Sequence, residues 1–185
     1  MALVAILDAS VLYPLPLRDT LLRIAETGLY HPCWSERILD EVGRNLIAKR
    51  GATDTQAEGL LDAMRRAFDT AAVTERAIER LEPAMTNDSK DRHVLATAIA
   101  ANAQVIVTLN LKHFPSHACE PFAVEPLHPD AFLLDLYSLD TGTASDTVKR
   151  QAAALTRPPM TVDELLDRLA ATVPNFAQAL RTHRP

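Results

Sequence analysis

The sequence predicts an α/β fold built on a mostly parallel sheet. Two short apolar runs, ALVAIL at 2–7 and QVIVT at 104–108, read as strands buried on both faces. Helical periodicity fills the chain between and after them, so strands alternate with helices. Leu and Ala dominate while aromatics make up only 5%, which favours helix over an all-β alternative.

Each element follows in order. The first run ends in Asp8, and Pro14 and Pro16 break what comes after it. A helix starts at Leu17, carries Leu21, Leu22, Ile24 and Ala25, and closes at Gly28. LYHPCW is a short connecting strand or loop. Ser35 caps a helix with Ile38, Leu39, Val42 and Leu46 on one face, ended by Gly51. Thr53 or Asp54 caps the next, with Ala57, Leu60, Leu61, Met64 and Phe68 at helical spacing. TAAV at 70–73 reads as a brief strand and ERAIERLEP as a short helix stopped by Pro83. A helix then runs from about Asp91 to Ala103, with Val94, Leu95, Ala98 and Ile99 inward, and feeds the second strand. PFAVEP at 121–126 reads as a third strand and HPDAFLLDLYSL as an amphipathic helix. After about residue 139 the chain turns polar, small-residued and proline-stopped. Thr161, with Glu164 three residues later, then opens one or two further helices divided by Pro174. We expect a domain over 3–138 and a helical extension over 140–185.

The bulk numbers limit the function. With 185 residues, 48% of them apolar, the chain can bury a core. A net charge of -5 argues against holding nucleic acid by phosphate neutralisation alone, unless a local basic patch or bound cations offset it. Cys33 and Cys119 have no zinc spacing and make no disulfide framework, so we expect reduced thiols in a cytoplasmic protein. No apolar run reaches the roughly 20 residues of a membrane span.

Ligands of open α/β sheets gather at the carboxyl ends of the strands. Asp8 ends one strand, and Thr108 and Asn110 follow another. Asp91 begins the helix that feeds the second strand, so it starts at the same sheet edge. On the helix after Ser35, both Glu41 and Glu36 lie near the border of the buried stripe while Asp40 points more nearly away, so periodicity alone does not choose between the two glutamates. Each acid also has a plain structural use: Asp88 and Asp91 as helix caps, Asp8 as a turn cap, Glu41 as a solvated helix residue. Their predicted convergence is more telling. Clustered carboxylates raise one another's pKa unless a cation joins them, and hard ions such as Mg²⁺ or Mn²⁺ take oxygen ligands. Such ions lower the pKa of a water and clamp a phosphodiester for attack.

Four blocks together resemble the PIN domain: ILDASVLYP at 6–14, WSERILDEVGRNL at 34–46, NDSKDRHVLATAIA at 87–100 and VIVTLNLKHFP at 105–115. Within that family the chain most resembles the VapC-like toxin branch with a helical C-terminal extension. The resemblance implies a three-layer α/β/α sandwich and Mg²⁺- or Mn²⁺-dependent cleavage of RNA. It also implies a homodimer held by a cognate antitoxin. Carried over by motif, Asp8, Glu41 and Asp91 are the metal-binding acids, which selects Glu41 over Glu36. Asp88, outside that carry-over, is expected as a further metal ligand that compensates for an acid missing from the last block. The last block departs from the pattern: Asn110 and His113 stand where many members have an acid. Asn110 completes the catalytic set, as a metal ligand through its carbonyl or as the holder of a metal-bound water, without supplying charge. Ser10, Arg92, Thr108 and Lys112 are expected RNA contacts, with Lys49-Arg50 and Arg65-Arg66 as further basic clusters. His93 reads as a hydrogen-bonded or exposed histidine more readily than as a general base.

Two other readings compete. A haloacid-dehalogenase-like phosphatase also begins with an Asp after its first strand, but needs a second acid where this chain has Ser10. A catalytically silent PIN fold acting as a binding or regulatory module accounts for the missing acid and the negative charge, but leaves Asp8, Glu41 and Asp91 without a reason to coexist.

Overall fold

A computed structural model describes residues 3–182. Ala2, the first residue of the expected opening strand, and 183–185, the end of the expected extension, lie outside the described residues. Four strands, β1 (Val4–Leu7), β2 (His31–Cys33), β3 (Val105–Val107) and β4 (Glu125–Leu127), pair in the order β2-β1-β3-β4, and every pairing is parallel. Ala5, Ile6 and Leu7 are all fully buried. Successive strand residues point to opposite faces, so both faces are covered and the layering is α/β/α.

The helices are α1 (Ala9–Leu12), α2 (Leu17–Glu26), α3 (Glu36–Arg50), α4 (Asp54–Ala67), α5 (Glu75–Leu81), α6 (Arg92–Ala100), α7 (Ser116–Cys119), α8 (Pro129–Leu139), α9 (Thr141–Ala154), α10 (Val162–Ala170) and α11 (Pro174–Thr182). Their ends follow capping chemistry. Ser35 Oγ accepts from Ile38 N at 3.2 Å, and Gly51 closes α3 at φ +69°, a conformation that penalises any side chain. Thr53, rather than Asp54, caps α4 in a reciprocal box with Gln56. The Thr161–Glu164 box opens α10 as expected.

The expected boundaries shift in three places. α6 ends at Ala100, because Asn102 adopts φ 50° and Ala103 N closes back onto Ala98 O at 2.9 Å. The strand expected over 121–126 moves to Glu125–Leu127, because Glu120–Phe122, with Pro121, forms a 3₁₀ turn. TAAV contributes only an isolated parallel bridge, Ala72 to Trp34.

The polar stretch after residue 139 holds a 14-residue helix, α9, that hydropathy does not reveal. Its buried face is Ala144, Thr147, Val148, Gln151 and Ala152, small or polar residues at helical spacing. Asp140 caps it, accepting from Thr143 N at 2.9 Å and Thr143 Oγ1 at 2.7 Å. Gln151 is fully buried; it accepts from Thr20 Oγ1 at 2.8 Å and donates to Pro16 O at 3.2 Å, fastening α9 to α2. Buried Asp130 fastens α11 to α8, accepting from Asn175 N at 3.2 Å, Asn175 Nδ2 at 2.8 Å and Phe176 N at 2.9 Å. Cys33 and Cys119 are free and buried, and burial lifts the Cys33 thiol to a pKa of about 11. No helix among the described residues is long and apolar enough to cross a membrane.

Candidate active site

The sheet register sets the first part of the site. Leu7 pairs with Val107, which brings Asp8 beside Thr108, and Asp8 N donates to Val107 O at 3.1 Å. Asp8 stands at the N-cap of α1, yet its carboxylate makes no capping bond. Oδ2 instead accepts from Ser10 Oγ at 2.6 Å and Thr108 Oγ1 at 2.7 Å. The two hydroxyls are anchored in turn: Leu109 N donates to Ser10 Oγ at 3.0 Å and Asn110 N to Thr108 Oγ1 at 3.0 Å. The turn after β3 thus locks the carboxylate that ends β1. Thr108 is fully buried with its hydroxyl committed to Asp8, so it is not open to the RNA contact expected of it.

Glu41 projects from α3 into an open cleft of about 650 Å³ lined also by Asp40, Asp91, Asn110 and His113. Burial raises its pKa, and the charges of Asp8 and Asp91 raise it further. Glu36, its rival by periodicity, binds Arg65 at 2.6 Å. Asp40, read as facing away, is exposed on the cleft wall.

Asp91 is the N-cap residue of α6 but makes no side-chain cap. Its Oδ2 lies 2.5 Å from His113 Nδ1. Burial raises the Asp91 pKa, the His113 hydrogen bond opposes the rise, and the Asp8 and Asp88 charges add to it. Asp88 is exposed and does serve a local turn, accepting from Lys90 N at 3.0 Å. Its backbone N donates to His113 O at 3.2 Å, tying the head of α6 to the turn after β3. Asp88, Asp91 and His113 each offer one donor atom, all within 4.8 Å of one another. With two carboxylates and an imidazole so close together, this set could hold a divalent cation.

The basic residues fall differently from expectation. Arg44 and Lys90 line the cleft and make no ion pair among the described residues. Arg37 also lines it but is held by Glu82 at 2.5 and 3.0 Å. Arg65 is occupied by Glu36 and Asp62, and Lys49 and Arg50 lie over the Tyr13 ring. Lys112 is exposed in the turn after β3; Arg92 is half-buried with its Nε unpartnered; neither lines the cleft. His93 is buried on the cleft wall with no partner for Nδ1, and burial and Arg37 lower its pKa. Periodicity could not have found Arg44 and Lys90. Arg44 is three residues from Glu41, so their shared face is visible once Glu41 is fixed.

The sequence description of the PIN domain matches residues 4–112. The chain belongs to the PIN-domain family. All four acids and Asn110 fall inside the matched span. A second family description, the VapC50 C-terminal domain, matches residues 129–182, which hold α8 to α11 of this PIN protein. The PIN chain is similar to "Putative ribonuclease VapC50" of Mycobacterium tuberculosis (strain ATCC 25618 / H37Rv), 47% identical over 98 residues. That match covers 53% of this chain and 58% of the relative. No solved structure matches the chain.

Proposed function

We propose that this PIN protein is a divalent-metal-dependent endoribonuclease, the toxin of a type II toxin–antitoxin pair, using Mg²⁺ or Mn²⁺. One observation carries the reading. Asp8, Glu41, Asp88 and Asp91 arrive from β1, α3 and the head of α6 as one electrostatic group, and Glu41 and Asp91 are raised by burial and by neighbouring acids. A fold gains nothing from gathering such charges unless a cation joins them. Bound there, the ion supplies positive charge that offsets the acids and the substrate phosphate and makes a water easier to deprotonate.

The residues divide the remaining work. Asp8, Glu41 and Asp91 would hold the ion, with Asp88 as a further ligand. Ser10 and Thr108 fix Asp8 in orientation. Asn110, exposed at the rim, offers an uncharged amide to substrate or solvent. Arg44 and Lys90 meet flanking phosphates, with Lys112 and Arg92 farther out. Hydrolysis adds one water across a phosphodiester P–O bond, and no group on the protein is consumed. The same reading takes 3–138 as the nuclease unit and 140–185 as an extension that covers it. It includes a homodimer, a cognate antitoxin and a place in the cytoplasm. The relative's printed name supports the ribonuclease part. A silent binding module leaves the raised carboxylates without a role.

Inducible expression in a bacterial host tests the reading. Wild type should stop growth while RNA fragments accumulate, and Glu41→Gln at equal protein level should do neither. Equal growth with intact RNA for both would refute it.

A further inference from the structure

We propose that His113 is itself a metal ligand, and that its nitrogen biases the site toward a first-row transition ion such as Mn²⁺ over Mg²⁺. The inference deepens the reading of this cleft as a divalent-metal site and rests on it.

Three observations carry it. His113 Nδ1 faces the Asp91 carboxylate at 2.5 Å, and Asp88 completes a trio of donor atoms within 4.8 Å. Adjacent ligands of an octahedral ion stand about 3.0 Å apart and opposite ones about 4.2 Å, so side-chain rotations that open the Asp91–His113 hydrogen bond and draw Asp88 in would set the trio on one cation. The backbone prepares this arrangement, since Asp88 N donates to His113 O at 3.2 Å and holds the two segments in register. His113 is accessible as well, with 27% of its side chain exposed on the cleft that Glu41 and Asp91 also line. On the same wall, His93 is 6% exposed and leaves Nδ1 without a partner.

The chemistry gives the preference its sign. Mg²⁺ favours oxygen donors and sheds water reluctantly, whereas imidazole suits the later ions. An Asp at position 113 would give an all-oxygen set and add a fifth negative charge to Asp8, Glu41, Asp88 and Asp91. His113 supplies a lone pair without that charge.

The test does not depend on RNA cleavage. The purified full chain, labelled with ¹⁵N-histidine, is loaded with one equivalent of Mn²⁺ and read by pulsed EPR for nitrogen coupling. Wild type should show directly bound nitrogen, and His113→Asp should lose the coupling while still binding Mn²⁺. Competition of Mg²⁺ against Mn²⁺ should show the wild-type preference for Mn²⁺ falling about tenfold in His113→Asp. Mn²⁺ bound to wild type without nitrogen coupling overturns the inference, and so does coupling that survives in His113→Asp, which would assign it to another histidine. Failure of wild type to bind Mn²⁺ overturns it together with the metal reading. Nitrogen coupling in a protein that cuts no RNA upholds this inference while the proposed function falls.

Discussion

Asp8 shows how a carboxylate is made ready at the scale of one residue. It is 4% exposed, and both bonds to its Oδ2 come from hydroxyls that the chain itself anchors. Thr108→Val keeps the shape and removes one donor. A hydrogen bond to a charged group contributes roughly 1.5–3 kcal/mol, so kcat/KM should fall about ten- to a hundredfold, with weaker Mg²⁺ binding. An unchanged kcat/KM would show that Thr108 does not position Asp8. The convergence of Asp8 and Asp91 was legible because strand ends and a helix start share one sheet edge, whereas Glu41 was chosen over Glu36 only by the family resemblance. The sequence did not reveal the bond from Thr108 to Asp8, because a hydroxyl's direction depends on the register of β1 against β3. It could not show that Asp91 would forgo its capping bond for His113, a contact between residues 22 apart in sequence.

The same acids give a pH dependence. Glu41 and Asp91 are raised above their ordinary values of 4.5 and 3.8. The folded state therefore binds their protons more tightly than the unfolded state does. That contribution is complete below the ordinary values and is lost as pH rises through the raised ones. Glu41→Gln, which removes one such group, should therefore gain in Tm on wild type in EDTA as pH rises from 4 to 7. Mg²⁺ should stabilise wild type at pH 7 and stabilise the variant less. A wild-type Tm in EDTA that climbs relative to the variant over this range would contradict the electrostatic account.

At the scale of elements, the caps were readable and the packing partners were not. Ser35, the Thr161–Glu164 box and Gly51 announce helix ends through local chemistry alone. Helix α9 escaped notice because its buried face is made of Ala, Thr and Gln, whose burial is worthwhile only against α2. Hydropathy scores the residues and not the partner that satisfies them. Asp130 raises the same issue on α8. It looks like a first-turn acid, but its carboxylate caps α11, 45 residues away. Asp130→Ala leaves the buried Phe176 amide of α11 unpaired and frees the exposed Asn175, at a cost of roughly 1–3 kcal/mol. The urea midpoint should drop accordingly, and amide exchange should speed up first in α11. Loss of less than about 0.5 kcal/mol would show that α11 is held by its apolar face alone.

At the scale of the whole molecule, the helices after residue 139 share one apolar core with the sheet domain. Leu165, Leu166, Leu169, Phe176 and Ala177 join the cluster that holds Ile6 and Val107. Charge is the second property of the whole. The net charge is -5, and Asp40, Glu41 and Asp91 contribute to it along the cleft. Arg44 and Lys90 give the cleft a local basic border in an acidic molecule. The overall balance was legible in the composition, but its distribution was not, because Arg37 and Arg65 are neutralised by acids distant in sequence.

Cleavage of RNA tests most simply whether Asp8, Glu41 and Asp91 serve a metal-dependent nuclease. Purified protein is incubated with total RNA in Mg²⁺, in Mn²⁺ and in EDTA, beside Asp8→Asn prepared in parallel. Wild type should cleave in either metal and not in EDTA, and the variant should lose at least a hundredfold, on the order of 3 kcal/mol. Cleavage that persists in EDTA, or that is equal in wild type and Asp8→Asn, would contradict that function.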